Sequence, residues 1–304
     1  MQFVRNGLTV TKIIESSHCQ LPLAFGFPEI TAQDLALLKR DYWNASLNED
    51  PSKAFMQMFW HGYVLEANGK KFLIDTCCGN DKTRPHEFFD HLETPFMANL
   101  QAAGYRPEDI DYVMCTHLHH DHVGWNTKLE NGKWVPTFPN AKYVFTKADY
   151  DYFARYAGND PMQNPAFQDS ILPIVEQGMA ELVETDHVVD HAIGSMVRFE
   201  GTPGHTPGSI VIHAGSEPLA EAIFTGDLFH HPLEIINPRS HFHADEDPEI
   251  GTETRRAFLS RVAGADATLF PAHFFAGKVT AEGDRFRYSL VNGNGGEVDY
   301  SRYI

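Results

Sequence analysis

The segment His117-Leu118-His119-His120-Asp121-His122 places four candidate metal ligands within six residues, shortly after the apolar stretch Asp111–Cys115. The apolar stretch predicts a strand, and alternate side chains of an extended chain share one face. The first two histidines of the pattern, His117 and His119, can therefore reach one metal together. The aspartate and the last histidine follow where the chain turns toward a helix, so they point elsewhere. The segment thus offers ligands for two metal positions.

Three further candidate ligands lie far along the chain, each after a short apolar run. They are His205 within Gly201–Gly208, Asp227 after Thr225-Gly226, and His273 after Pro271-Ala272. Strand ends that meet at one edge of a sheet present polar groups on a rigid scaffold, and glycines and prolines suit turns that expose a side chain. A single His-x-His pair is a weak signal, but the cluster with three such partners indicates a metal centre.

Apolar runs alternate with turn signals along the chain, and Asn68-Gly69 between two such runs is a strong hairpin signal. The predicted strands are Gly62–Ala67, Lys71–Asp75, Asp111–Cys115, Lys142–Phe145, Val197–Glu200, Ser209–His213, Glu221–Phe224 and Ala267–Phe270. The predicted helices are Phe88–Ala103, Lys147–Tyr156 and Thr254–Ala263. Because strands and helices are mixed throughout, the pattern favours an α/β fold with two sheets and helices outside.

We interpret residues 1–304 as one domain with two special segments. Residues 1–55 are rich in aromatic side chains, and we expect an N-terminal arm that covers the site or joins two copies into a homodimer. Residues 159–178 contain three prolines and are expected to form an irregular surface insertion or lid.

Charge and composition exclude several classes of function. The chain has 24 Lys and Arg against 41 Asp and Glu, a net charge of −17, which argues against binding nucleic acid or anionic membranes. We recognise no signal peptide and no apolar stretch of about 18 residues. The four cysteines form no Cys-x-x-Cys pair, so neither a disulfide framework nor a cysteine zinc site is expected. We therefore expect a soluble cytoplasmic protein.

The His-x-His-x-Asp-His motif followed by isolated His, Asp and His resembles the metallo-β-lactamase superfamily over most of the chain. The resemblance implies an αββα sandwich, made of two mixed β-sheets flanked by helices, with a dinuclear metal centre at one edge. It also implies a ligand set: His117, His119 and His205 for the first metal, Asp121, His122 and His273 for the second, and Asp227 bridging both.

Within this superfamily the ligand set looks most like the lactonase and esterase-like branch. True metallo-β-lactamases lack an aspartate at the bridging position, and flavodiiron oxygen reductases carry Glu in place of His119 and add a flavodoxin domain. RNA-processing members add nucleic-acid-binding parts, which the negative charge disfavours. One departure is His230, which stands where quorum-quenching lactonases often carry a tyrosine that touches the substrate carbonyl.

The resemblance implies a hydrolase in which a metal-bridging hydroxide attacks a small ester or lactone. The ligands suit a pair of zinc ions and would also accept manganese, iron or cobalt. Asp121 is expected to orient the nucleophile and pass a proton, and His230 to bond the oxyanion. Two alternatives stay open: an organophosphate or phosphodiester hydrolase on the same centre, and a non-catalytic or redox metalloprotein.

Residues next to the candidate ligands are predicted to support them or to line the pocket. Asp75, at a strand end, is expected to fix the tautomer of a ligand imidazole, and Thr116 and Thr225 to act similarly. A second His-x-His pair, His241 and His243, is interpreted as a loop that is solvated or borders the site. The predicted pocket residues, each within a few positions of a ligand, are Trp125, Phe229 and His231.

Overall fold

The computed structural model describes residues 2–41, 50–191, 196–216, 220–283 and 285–291, in which short helices join β-strands. The strands are β1 (Gln2–Arg5), β2 (Leu8–Pro22), β3 (Phe55–Ala67), β4 (Lys70–Ile74), β5 (Tyr112–Met114), β6 (Thr127–Glu130), β7 (Lys133–Pro136), β8 (Lys142–Thr146), β9 (Ala180–Val183), β10 (Val188–Asp190), β11 (Met196–Gly201), β12 (Ile210–Gly215), β13 (Ala222–Gly226), β14 (Thr268–Pro271), β15 (Gly277–Glu282) and β16 (Arg285–Leu290). The helices are α1 (Leu23–Gly26), α2 (Ala32–Asp41), α3 (Phe96–Ala102), α4 (His120–Val123), α5 (Lys147–Tyr156), α6 (Gln163–Ala166), α7 (Leu172–Glu176), α8 (Pro232–Ile236) and α9 (Pro248–Val262). None of the helices in these ranges is long and apolar enough to cross a membrane.

Two sheets of seven strands form the frame, and each comes from one continuous part of the chain. The first sheet has the order β1-β2-β3-β4-β5-β8-β9, and the second runs from β10 to β16 in chain order. β6 and β7 pair separately as a hairpin. The strands β4, β5, β8 and β9 are parallel, as are β13 and β14. The carboxyl ends of neighbouring parallel strands therefore meet at one edge of each sheet, and all the predicted ligands except His205, which follows β11, come after these ends.

The four layers follow from alternating burial along the strands. In β5, Met114 packs in the core between the two sheets. The adjacent Val113 faces the opposite way, into a second core that includes Phe96 of α3 and Phe153 of α5. In β13, Phe224 lies between the sheets, and Ile223 packs outward with Phe258 of α9. The predicted α/β architecture, an αββα sandwich of two mixed sheets, is confirmed.

Several local predictions are also confirmed. Asn68 and Gly69 connect β3 to β4 with φ values of +54° and +75°, and the helix predicted over Lys147–Tyr156 is α5. The helix predicted over Phe88–Ala103 is wrong in its first half, because α3 begins only at Phe96. Pro95 lies just before it, and a residue that precedes a proline is disfavoured in the helical region.

The remaining helix, predicted over Thr254–Ala263, begins earlier than expected, at Pro248. The side chain of Asp247 accepts a hydrogen bond from the Ile250 backbone and caps this earlier start. Proline at the first position loses no hydrogen bond that the helix would otherwise make. Because the helix begins at Pro248, its first turn lies against the loop that carries Gly204.

The N-terminal segment differs from the expected arm. β1 and β2 belong to the first sheet, and β2 pairs with β3 along most of its length. Asn6 and Gly7 form the turn between β1 and β2, with φ values of +47° and +79°. This is the same dipeptide turn as Asn68-Gly69. Residues 42–49 of this segment lie outside the described residues.

The segment 159–178 is mostly helical, not irregular. It contains α6, a π-helical turn over Phe167–Ile171, and α7. Its prolines fit because Pro165 and Pro173 lie in first turns, where a missing N–H costs little. Ala166 and Ile174 are buried in the core of the first half, so this segment is packed into the domain and is not a surface insertion.

Candidate metal centre

The first group of candidate ligands joins two loops, one after β5 and one after β11. The inward nitrogens form a triangle: His117 Nε2 to His119 Nδ1 is 3.1 Å, His119 Nδ1 to His205 Nε2 is 2.9 Å, and His205 Nε2 to His117 Nε2 is 3.2 Å. A tetrahedral ion with bonds of about 2.0–2.1 Å keeps nitrogen ligands about 3.3 Å apart. The triangle therefore has the size that one zinc-like cation requires.

The second group shares a carboxylate with the first. The candidate ligand atoms of Asp121, His122 and His273 all lie within 4.8 Å of one another. Asp227 Oδ2 lies 3.2 Å from His122 Nε2 and 3.4 Å from His205 Nε2, and its Oδ1 lies 3.1 Å from His273 Nε2. One carboxylate thus contacts both groups, which is the arrangement that a bridging ligand needs. All seven predicted ligands come together.

Three of the ligand imidazoles have a fixed acceptor on their outer nitrogen. The pairs are His122 Nδ1 with Asp75 Oδ2 at 3.0 Å, His205 Nδ1 with Asp245 Oδ1 at 3.1 Å, and His273 Nδ1 with the Phe59 carbonyl oxygen at 2.9 Å. When the outer nitrogen carries the proton, the inner nitrogen presents a lone pair. In the triangle, His205 Nε2 presents such a lone pair toward His117 Nε2 and His119 Nδ1, and a cation between the three nitrogens would hold them together. The donor set therefore fits bound metal ions.

The ionisation states of three candidate ligands, His117, His119 and Asp227, also fit a cation. Burial, followed by the charges of neighbouring histidines, lowers the pKa of His117 and of His119 well below 6.5, so both imidazoles are neutral. Burial opposes ionisation of Asp227, but facing histidines outweigh it and hold the pKa of this carboxyl well below its usual range. Neutral imidazoles and ionised carboxylates are the forms that divalent metals bind.

Asp75 links the end of β4 to the metal-binding motif. Besides facing His122, it accepts hydrogen bonds from the Thr116 backbone N–H at 2.8 Å and from the Thr116 hydroxyl at 2.9 Å. The predicted supporting roles of the two residues require contacts of this kind. The hydroxyl of Thr225, in contrast, is buried without a hydrogen-bond partner in the described part of the chain. Among the described residues, no hydrogen bond of the Thr225 hydroxyl supports the role predicted for it.

His230 lies beside the shared carboxylate. Its Nε2 is 3.2 Å from Asp227 Oδ2, and its ring stacks on Phe242 with centroids 4.1 Å apart. Burial works against the charged form of His230, but Asp227 and Glu234 outweigh it and raise its pKa to about 10. A ring nitrogen of His230 therefore faces the shared carboxylate.

Two predicted pocket residues lie in the core instead. Trp125 stacks on Phe96 and donates a hydrogen bond to Glu15 at 2.8 Å. Phe229 is fully buried and packs near Phe258, with ring centroids 6.0 Å apart. Both predictions are wrong because packing of the following elements, not distance along the chain, sets the direction of a side chain after a turn.

The other histidines near the motif have local roles. His231 Nδ1 accepts a hydrogen bond from the first turn of α8, so this side chain caps a helix and is not free to line the pocket. The His243 ring lies 4.7 Å from Phe25 and 4.6 Å from Phe242. The second His-x-His loop therefore borders the site through Phe242. His241 lines a neighbouring cavity.

Two sets of aromatic rings contact residues of the centre. Trp60 donates to Asp121 Oδ2 at 3.1 Å, and its ring lies 5.3 Å from Phe88, which is 39% exposed. In the second set, Phe242 stacks on His230, and the His243 ring lies between Phe242 and the exposed Phe25. We call these rings the aromatic walls. Sequence alone does not separate such residues from core residues, because no motif marks them.

Sequence reasoning also missed Asp149, which joins the two ligand loops of the first group. Its carboxylate accepts from the Leu118 N–H at 3.1 Å, the Thr206 hydroxyl at 3.0 Å and the Gly208 N–H at 2.7 Å. Asp149 lies three residues after β8, so it occupies a strand-end position like the ligands themselves. That position is the signal that could have found it.

Comparison with curated proteins finds N-acyl homoserine lactonases. One from Bacillus thuringiensis is 24% identical over 223 residues, which cover 69% of this chain and 79% of that protein. One from Bacillus cereus is 25% identical over 158 residues, 48% of this chain. The matched region spans 54% of the Bacillus cereus protein and 62% of a third lactonase, from Bacillus sp.

Comparison with solved structures supports the fold. The hydrolase AbOPH of the beta lactamase superfamily superposes with a TM-score of 0.75 at 21% identity, covering 96% of this chain and 97% of that one. AidC, described as a dizinc quorum-quenching lactonase, gives a TM-score of 0.75 at 20% identity with the same coverage. The profile of the Metallo-beta-lactamase superfamily matches residues 61–273, more than half of the chain. The chain therefore belongs to the metallo-beta-lactamase superfamily.

Proposed function

We propose that this chain is a dinuclear metal-dependent hydrolase of a small ester or lactone. The observation that carries the proposal is the shared carboxylate: Asp227 lies within 3.4 Å of imidazole nitrogens from both ligand groups. Such sharing brings two cations close enough to act on one substrate group. The N-acyl homoserine lactonases among the relatives support a lactone as substrate.

In this proposal the seven side chains divide between two cations as the family motif implies. His117, His119 and His205 would hold one cation, Asp121, His122 and His273 would hold the other, and Asp227 would contact both. When bound, the cations polarise a carbonyl oxygen and lower the pKa of water to near neutrality. Zinc suits these nitrogen and oxygen ligands, and manganese, iron or cobalt would also suit them.

The protein's own groups orient the substrate and handle protons. His230 Nε2 lies 3.2 Å from Asp227 Oδ2, next to the carboxylate that the two ligand groups share. From this position it would donate a hydrogen bond to the carbonyl oxygen of the substrate as negative charge develops on that oxygen. Asp121 keeps its Oδ2 fixed by Trp60, which leaves Oδ1 to orient the attacking water and pass its proton to the leaving alkoxide.

The aromatic walls support an apolar acyl or aryl group on the substrate. Trp60 and Phe88 approach from the Asp121 side, and Phe242 and Phe25 from the His230 side. Apolar rings around a few fixed polar groups are the usual composition of a small-molecule site.

The experiment is a substitution series measured for metal and turnover on the same sample. Asp227→Ala and His119→Ala are expected to lose bound zinc and at least 100-fold in kcat/KM on a lactone panel. His230→Phe is expected to keep its zinc and lose turnover. Undiminished hydrolysis with full zinc in the first two variants would reject the site, and full activity in the third would remove His230 from the reaction.

A substrate panel tests the chemistry itself. Metal-replete protein is assayed on acyl lactones, aryl esters, thioesters, phosphotriesters, phosphodiesters and β-lactams. The proposal expects the highest kcat/KM on a lactone or ester. A strong preference for a phosphoester would instead establish the alternative function on the same centre, and zinc binding without any turnover would indicate a non-catalytic metalloprotein.

A further inference from the structure

A buried arginine lies behind the candidate metal centre, outside the predicted ligand set. Arg255 is on α9, and its side chain is 1% exposed. Its Nη1 lies 3.0 Å from Asp245 Oδ2 and 3.4 Å from Glu234 Oε1, and both of these carboxylates are fully buried. One guanidinium nitrogen therefore donates a hydrogen bond to Asp245 and forms an ion pair with Glu234, two carboxylates that come from different segments of the chain.

Each of the two carboxylates contacts a different histidine of the centre. Asp245 Oδ1 accepts from His205 Nδ1 at 3.1 Å. Glu234 Oε2 accepts from the backbone N–H of His230 and lies 3.5 Å from the Nδ1 of the same residue. Arg255 is thus two contacts away from a candidate metal ligand and from the candidate oxyanion donor at once.

The cost of burying this arginine indicates a role beyond packing. Its Nε and Nη2 are buried without hydrogen-bond partners in the described part of the chain. A buried charged network is often no more stable than apolar residues of the same volume, and unpaired donors make it less so. From a single position, Arg255 nevertheless places one positive charge next to two buried carboxylates, those of Asp245 and Glu234.

The main chain holds the same region close to the His205 loop. The Glu246 and Asp247 N–H groups donate to the carbonyls of His205 and Gly204, at 3.2 and 2.9 Å. A Cβ on Gly204 would lie 2.3 Å from the Gly251 Cα, so α9 touches this loop without any side chain between them. The arginine is therefore on a helix that is rigidly joined to the ligand loop.

We propose that Arg255 is a positioning residue that holds the His205 and His230 imidazoles in their working orientations through Asp245 and Glu234. The inference rests on the proposed function for the role of His230, but its effect on His205 requires only that the centre binds zinc. A ligand imidazole that loses its fixed acceptor typically loses 10–100-fold in metal affinity.

The experiment compares Arg255→Met and Arg255→Lys with wild type. Zinc affinity is measured by competition with a chromophoric chelator, and stoichiometry by native mass spectrometry. Arg255→Met is expected to weaken one of the two zinc ions about 10–100-fold and to keep a reduced kcat even at saturating zinc. Arg255→Lys is expected to recover part of the zinc affinity, since it restores the charge. A folded Arg255→Met protein with two unchanged zinc affinities and unchanged kcat would overturn the proposal.

A matched control separates positioning from general destabilisation. Arg84 is equally buried, at 1% exposure, and forms a two-bond ion pair with Asp169, and in the described part of the chain neither side chain bonds a predicted ligand. Arg84→Met is expected to lower the melting temperature and to leave both zinc affinities within about twofold. An equal loss of zinc affinity in both variants would assign the effect of Arg255 to stability and contradict the proposal.

If Arg255→Met fails to fold, variants of the two carboxylates that Arg255 contacts test the proposal instead, each affecting one of the two histidines. Asp245→Asn is expected to weaken zinc, whereas Glu234→Gln is expected to keep zinc affinity and lower kcat. Unchanged zinc affinity in the first and unchanged kcat in the second would overturn the proposal. A wild type that binds two zinc ions but hydrolyses no substrate would contradict the proposed function, and the zinc measurements would still test Arg255.

Discussion

The indole Nε1 of Trp60 donates a hydrogen bond to Oδ2 of Asp121 across 3.1 Å. The bond joins β3, an inner strand of the first sheet, to a candidate ligand in α4. One oxygen of the carboxylate is fixed in this way, and Oδ1 is left 3.8 Å from His122 Nε2. The orientation of Asp121 thus depends on a residue 61 positions away.

Trp60→Phe tests this dependence. Removal of one hydrogen bond to a charged group is expected to lower kcat/KM about tenfold, equivalent to about 1.4 kcal/mol, with two zinc ions still bound. Trp125→Phe is the matched control, because Trp125 also donates from a buried indole, to Glu15 at 2.8 Å. The control is expected to lose stability and keep its kcat/KM. Steady-state kinetics on both variants checks the prediction, and an unchanged kcat/KM in Trp60→Phe contradicts it.

Asp75→Asn should lower the affinity of the second ligand group for zinc by about 10–100-fold. The reason is that an amide nitrogen facing His122 Nδ1 cannot accept a hydrogen bond from that ring nitrogen. Asparagine tolerates the φ of +54° at this position, so the backbone should hold. Chelator competition measures the affinity. Asp111→Asn is the control, because Asp111 likewise accepts a backbone N–H, from Lys71 at 2.8 Å, at the opposite end of β5. Equal zinc affinities in Asp75→Asn and wild type would refute the role of Asp75.

Asp149 gives a pH-dependent prediction. Burial raises the pKa of its carboxyl from 3.8 to about 6. The folded chain therefore binds this proton more tightly than the unfolded chain, so the contribution is fully present below pH 3.8 and is lost as the pH rises through about 6. We expect the unfolding free energy of wild type relative to Asp149→Asn to fall by about 2.4 kcal/mol between about pH 4 and pH 7.

Urea unfolding of metal-free protein at several pH values measures this difference. Asp151 lies on the same helix, but its side chain is 42% exposed and paired with Lys147, so Asp151→Asn should show no such trend. Parallel pH profiles of wild type and Asp149→Asn would show that Asp149 does not carry the raised pKa.

Gly124→Ala should destabilise the fold by more than about 3 kcal/mol, within the range known for overpacking and strain. A Cβ at Gly124 would lie 1.8 Å from the carbonyl oxygen of Cys78, and both partners are backbone segments next to the site. Thermal unfolding measures the effect. Gly158→Ala is the control, since a Cβ there meets nothing within 4 Å. A melting temperature of Gly124→Ala equal to that of the control would contradict the close backbone contact between the two loops.

The grouping of the candidate ligands could be predicted from sequence because strands and turns place these side chains by local rules. His117 and His119 share a face of one extended segment, and Asp227 and His273 directly follow the neighbouring parallel strands β13 and β14. The supporting residues Asp245 and Arg255 obey no such rule, since their contacts depend on how α9 docks. The first two strands were missed although Asn6-Gly7 carries the same turn signal as Asn68-Gly69.

The first sheet ends at residue 183 and the second begins at residue 188, so the chain between them divides the ligand set. His117, His119, Asp121 and His122 belong to the first half, and His205, Asp227 and His273 to the second. Neither half alone has a complete donor set for either cation. Two fragments cut at residues 184–187 should consequently regain hydrolysis only on reassociation, which makes enzymatic complementation a direct assay of how the halves dock.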